Sequence, residues 1–196
     1  MIPKPEMLSS PHPYWSSFKL LYDDLEESFR YVNPTKAHLK VYSLRFYEIL
    51  IRACTEFESI CKDIVIEHRL SKKESLNFNI YDYHLVNAYF EKKPSKLSVG
   101  YLFSEPLFVK PLDDWNNAPL LFWYSGYNTV KHNRVKEFEQ ANLENVLNSI
   151  AALFIIIERC GFCPPGKFSH FEATESYGKI SGCDAWPVVI RKEYNQ

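Results

Sequence analysis

The chain has 196 residues, 46% hydrophobic and 24% charged, with 23 basic side chains against 24 acidic ones and a net charge of -1. A chain of this length is one domain's worth and buries roughly 70% of its unfolded surface, so neither disulfides nor metal are needed to make a core. The composition excludes disordered, collagen-like and low-complexity chains, and the charge balance excludes a protein that coats nucleic acid through a net positive field.

Two imbalances remain. There are 6 glycines where average usage would give about 14, which disfavours many-stranded barrels and sandwiches and points to helices. Aromatic residues make up 16% of the chain, and tyrosine and tryptophan suit a partly polar core or an interface. The longest apolar run, Ile150 to Ile157, falls short of the roughly 20 residues of a membrane span. The start Met1-Ile2-Pro3-Lys4-Pro5, leading to Pro11, His12 and Pro13, has no apolar signal stretch. An odd count of five cysteines, with Cys54 and Cys61 inside a helical pattern, fits a reducing compartment. A cytoplasmic protein without membrane contact is therefore expected.

From Tyr14 to Tyr31 the residues Phe18, Leu21, Leu25 and Phe29 recur at helical spacing, and Asn33-Pro34 ends the pattern. The next stretch, Lys36 to Leu70, keeps a helical period through Leu39, Phe46, Ile49, Leu50, Ala53, Phe57, Ile60 and Ile64 without Gly or Pro, and reads as one long spine, kinked near its start. A shorter helix is expected over Tyr81 to Phe90. Alternation at Leu97, Val99, Tyr101 and Phe103, followed by Pro106 and Leu107-Phe108-Val109, predicts a β-hairpin. Helical pattern returns after Pro119 to His132 and again from Phe138 to Arg159, where Gly161 and Pro164-Pro165 stop it. A strand is expected at Trp186 to Ile190. The fold class is all-α: a helical bundle over 1–161 with a β insertion at about 95–112, and an irregular C-terminal extension, 162–196, packed on the same domain.

The stretch from Trp123 to Arg134 is the candidate for chemistry. Asn128 and His132 stand four apart and share one helix face, with Lys131 beside them. An imidazole held by an amide and flanked by a cation suits acid-base chemistry near neutral pH. The plainer reading of His132 is a cation at the end of its helix.

This arrangement, an Asn followed four residues later by a His near the end of the helix before the last long helix of an α bundle, resembles the HEPN superfamily (higher eukaryotes and prokaryotes nucleotide-binding domains). The likeness is architectural over residues 15–160 and motif-level within 123–134. The family motif is an Arg, usually followed by a polar residue, then a His after four to six intervening positions. Active members are metal-independent ribonucleases that work as dimers, often as toxins or phage-defence effectors. The resemblance implies an endoribonuclease or RNA-binding protein that forms a homodimer, with single-stranded RNA as substrate, no cofactor, and an antitoxin or other protein as a further partner. It makes His132 the proton-transfer group and Asn128 its orienting or phosphate-binding neighbour.

Tyr127 then occupies the Arg position, where a phenol cannot supply the fixed positive fork of a guanidinium. Lys131 or Arg134 is left to steady the phosphate, although Arg134 would lie about 200° around the axis from His132 on a continued helix. Arg45 or Arg52 on the long helix is a further source of positive charge. Tyr124 and Tyr127 are expected to stack on RNA bases, with Lys136 adding to the local charge; Trp123 is expected in the core. The alternative function, of a different class, is a catalytically silent HEPN-like dimerisation or protein-interaction module.

Three other patterns complete the sequence. Cys160 and Cys163 have the gap of a zinc knuckle, which His170 and Cys183 would complete; reduced, partly buried thiols are the commoner outcome. Glu48 with Arg52, Arg52 with Glu56, and Glu58 with Lys62 are spaced for surface ion pairs. Lys92, Lys93 and Lys96 cluster around Pro94 as a solvated loop or a phosphate-tracking patch.

Overall fold

A computed structural model describes residues 11–73, 76–101, 107–113, 115, 120–163 and 188–192. Helix α1 spans Pro13–Ser28, its first turn started by Pro13 and capped by His12, whose Nδ1 accepts from the Tyr14 amide at 3.3 Å. Helix α2 spans Leu44–Glu67, capped by the Ser43 hydroxyl, which accepts from the Phe46 amide. Helix α3, Ile80–Tyr89, opens with a reciprocal capping box between Asn79 and Asp82. Strands β1 (Leu97–Tyr101) and β2 (Leu107–Val109) follow, then α4 (Phe122–His132), α5 (Leu143–Arg159) and β3 (Val188–Lys192).

The molecule is mostly helical with a small antiparallel sheet. The strand order is β2-β1-β3, with Gly100 opposite Phe108 on one side of β1 and Val189 on the other. Gly100 leaves room for the Phe108 ring across that register, where a Cβ would stand 2.6 Å from the ring and push the exposed side chain aside. Tyr101 donates its hydroxyl to the Leu147 carbonyl at 2.6 Å, which ties β1 to α5. Helix α5 is buried along nearly its whole length and packs on α1, α2 and α4, so it forms the centre of the bundle. Among the described residues, no helix is long and apolar enough to cross a membrane.

The long helix expected from Lys36 begins eight residues later. Lys36–His38 is a single 3-10 turn, and Phe138–Gln140, read as the start of the last helix, is another. The cause is a pairing between the segments ahead of α2 and α5. The amides of Leu143 and Glu144 donate to the carbonyls of Val41 and Leu39, each at 2.9 Å, and Ser43 donates to Ala141 at 3.4 Å. Backbone groups used across that seam are not free to continue either helix. The expected strand at 186–190 is found at 188–192, paired with β1; of the C-terminal extension, only 162–163 and 188–192 lie within the described residues.

The end of α5 follows the sequence. Gly161 has φ 72°, its amide donates to the Glu158 carbonyl at 3.0 Å, and the Phe162 amide donates to Ile157 at 3.1 Å. These are the two bonds of a Schellman cap, and glycine adopts its left-handed turn without Cβ strain.

Candidate functional site

Helix α4 positions the predicted site. Its inner face buries Trp123, Tyr124, Tyr127 and Val130. Trp123 is in the core, as expected, donating its indole N–H to the Pro111 carbonyl at 2.7 Å and meeting Phe57 edge-on at 5.3 Å between centroids. Gly126 lets α4 approach α5 closely: a Cβ there would stand 2.4 Å from the Asn145 amide nitrogen, which is itself bonded to the Gln140 carbonyl.

Tyr124 and Tyr127 are 5% and 1% exposed, which corrects their expected role as stacking platforms for bases. Each ring is covered, and each hydroxyl is engaged within the protein. Tyr124 donates to Glu58 Oε1 at 2.5 Å, and burial together with that carboxylate holds its phenol far above the ordinary range. The Tyr127 hydroxyl accepts from Lys131 Nζ at 2.8 Å, and the ammonium lies 4.9 Å from the ring centroid. Burial raises the Tyr127 phenol, with Lys131 opposing it, and the bond to Tyr127 raises Lys131 in turn.

Asn128 is half-buried and His132 is exposed, one turn further along. Among the described residues no hydrogen bond joins them, so the amide does not hold the imidazole as expected. The helix stops at His132. The Asn133 amide still donates to Thr129 at 2.9 Å, and the chain then turns, with Lys136 and Glu137 both donating to the Asn133 carbonyl at 3.1 Å. Arg134 therefore does not continue around the helix axis. Its guanidinium carbon lies 4.4 Å from the Tyr47 ring centroid and 5.9 Å from that of Phe138. Lys131, His132, Arg134 and Lys136 are all exposed within six residues, followed by half-buried Glu137 and exposed Glu139.

Other expected charge sources lie elsewhere. Arg45 and Arg52 both pair with Asp24 of α1, which ties them to the α1–α2 seam and away from Tyr127. That arrangement replaces the expected Glu48–Arg52 and Arg52–Glu56 pairs, with Glu48 taken by Arg45 at 3.2 Å. Glu58 serves Tyr124 in place of the expected pairing with Lys62. Lys92, Lys93 and Lys96 are exposed around buried Pro94.

Cys160 and Cys163 are half-buried, and burial pushes both thiols up to about 12. Their proposed metal partners His170 and Cys183 lie outside the described residues. Among the described residues, no three metal-ligating side chains come together.

Three aromatic residues that the sequence did not single out lie near this turn, Tyr47 and Phe138 against Arg134 and Tyr42 against Phe138. Tyr42 is 53% exposed and meets the half-buried Phe138 edge-on at 5.7 Å, and Tyr47 lies 6.4 Å from the same ring. A sequence signal for them existed in Ser43, an N-cap residue type whose use as a cap would have moved Tyr42 off the helix.

No family model, curated protein or solved structure matches the chain. The end of α4 and the turn after it present an exposed imidazole, two exposed cations two and four residues further along, Arg134 and Lys136, and a lysine anchored on a buried phenol.

Proposed function

We propose that the C-terminal end of α4 is the RNA-contacting site of a HEPN-like, metal-independent endoribonuclease that acts as a homodimer in toxin or phage-defence biology. The observation that carries this reading is the exposure of His132 within the basic run Lys131 to Lys136. A buried imidazole could not reach a substrate, whereas this one is open to solvent beside cations that attract phosphate.

In the proposed reaction the ribose 2′-oxygen attacks phosphorus while the bond from phosphorus to the 5′-oxygen breaks. His132 takes the 2′-hydroxyl proton or returns one to the leaving oxygen, and Arg134 steadies the charge on the phosphorane. The products are a 2′,3′-cyclic phosphate and a 5′-hydroxyl. Replacing the 2′-hydroxyl by hydrogen at a mapped cleavage position tests this: cleavage there should stop, and continued cleavage would exclude the mechanism.

One observation favours a second reading. Tyr127, at the position of the motif arginine, is buried and bonded to Lys131, so neither residue offers a free positive fork. A catalytically silent interaction module would carry the same surface without the chemistry. Absence of cleavage by the purified protein, together with dimerisation or partner binding through this surface, would support that reading.

A further inference from the structure

The surface next to His132 combines rings and charge in a fixed frame. The seam between residues 39–43 and 141–144 holds Tyr42 at the start of α2 against the turn that carries Phe138. That turn is braced from within: Asn142 donates to the Glu139 carbonyl and Asn145 to the Gln140 carbonyl, each at 2.8 Å. Arg134 lies over Tyr47, and Tyr42 exposes more than half of its surface beside Phe138.

An exposed ring such as Tyr42, with half-buried Phe138 and the Arg134 guanidinium close by, is the chemistry that takes an unstacked nucleobase, because every base has a π-face and arginine adds a cation–π contribution. The exposed cations Lys131, Arg134 and Lys136, within seven residues of Phe138 in the chain, supply the complement to a phosphate chain. A duplex offers no free base faces to such a patch, whereas a single strand does.

We infer that Tyr42, seated edge-on against Phe138, is the base-stacking ring of a platform for single-stranded RNA beside the Arg134–Tyr47 pair, taking the role that the burial of Tyr124 and Tyr127 denies to them. The inference rests on the RNA-contact reading above and adds to it the residues that hold the base.

The test is fluorescence anisotropy with a labelled 2′-O-methyl RNA dodecamer, which lacks the nucleophilic hydroxyl and stays intact, beside an abasic dodecamer of equal charge. Tyr42 is the residue to change because it is the most exposed of the rings. Tyr42→Ala should weaken binding of the normal dodecamer by about tenfold, in line with the loss of one stacked base, and Tyr42→Phe should restore it. The abasic dodecamer should bind wild type and Tyr42→Ala alike. The salt dependence should be the same for wild type and Tyr42→Ala, whereas Lys136→Ala should lower its logarithmic slope by about 0.7.

Equal binding of the normal dodecamer by wild type and Tyr42→Ala would overturn the platform and leave the RNA-contact reading in place. Failure of wild type to bind either dodecamer at low salt would overturn that reading and the platform with it. A wild-type dimer that Tyr42→Ala dissociates in sedimentation, with RNA binding unchanged, would assign the patch to a second copy of the chain and overturn the platform.

Discussion

Lys131 donates to the hydroxyl of Tyr127 across 2.8 Å, one helical turn apart on α4, with the phenol buried and the lysine exposed. The pair decides what the position of the motif arginine can do. A guanidinium there would have to displace a ring that packs edge-on against Tyr124 at 5.2 Å between centroids. In the proposed reaction the positive charge therefore comes from the turn after the helix, through Arg134.

Restoring the motif should therefore fail. Tyr127→Arg places a charge where a side chain is 1% exposed, and the expected cost is roughly 3 kcal/mol of stability. Urea denaturation measures this. A variant as stable as wild type with raised RNA cleavage would contradict the assignment of charge to Arg134.

Arg69 offers a gain of stability. It follows the C-cap of α2 with φ 50°, its amide donates to Ile66 at 3.2 Å, and the Leu70 amide donates to Val65 at 3.0 Å, the bonds of a Schellman cap. Glycine takes that left-handed conformation freely and arginine does not, so Arg69→Gly should stabilise the protein by about 1 kcal/mol. Thermal melting gives the sign, and a lower melting temperature would show that the Arg69 side chain contributes more than its backbone costs.

The start of α1 should be sensitive to mild acid. His12 accepts from the Tyr14 amide through Nδ1 and stacks on Phe162 at 3.6 Å between centroids, and burial holds its pKa below the ordinary 6.5. The unfolded chain then takes up the proton more readily than the folded one. This contribution to stability is complete above pH 6.5 and is lost as the pH falls through the lower folded value. His12→Asn keeps an acceptor that does not titrate. Denaturation at pH 7.5 and 5.5 should show a smaller acid loss in the variant than in wild type, and equal losses would remove His12 from the pH response.

How much of this was legible in the sequence depended on how local the controlling contact was. The bodies of α2 and α5 follow from apolar period alone, and the Gly161 cap from one residue type. The starts of both helices did not, because Leu39 and Phe138 keep the period while backbone bonds across the 39–43 and 141–144 seam hold those segments out of the helices. The burial of Tyr124 was equally hidden: its partner Glu58 is 66 residues away in sequence, and tyrosine is as much at home at an interface as in a core. Asn128 and His132 share the face that their spacing predicted, but spacing could not say that the amide leaves the ring unheld.

One assay tests whether His132 moves the proton in the proposed RNA cleavage. Labelled single-stranded RNA is incubated in chelator with wild type and with His132→Ala, and binding of the non-cleavable dodecamer is followed in parallel. Wild type should cleave, His132→Ala should lose about a hundredfold or more as expected for a general acid or base, and both should bind the dodecamer similarly. Cleavage at the same rate in His132→Ala would contradict that role.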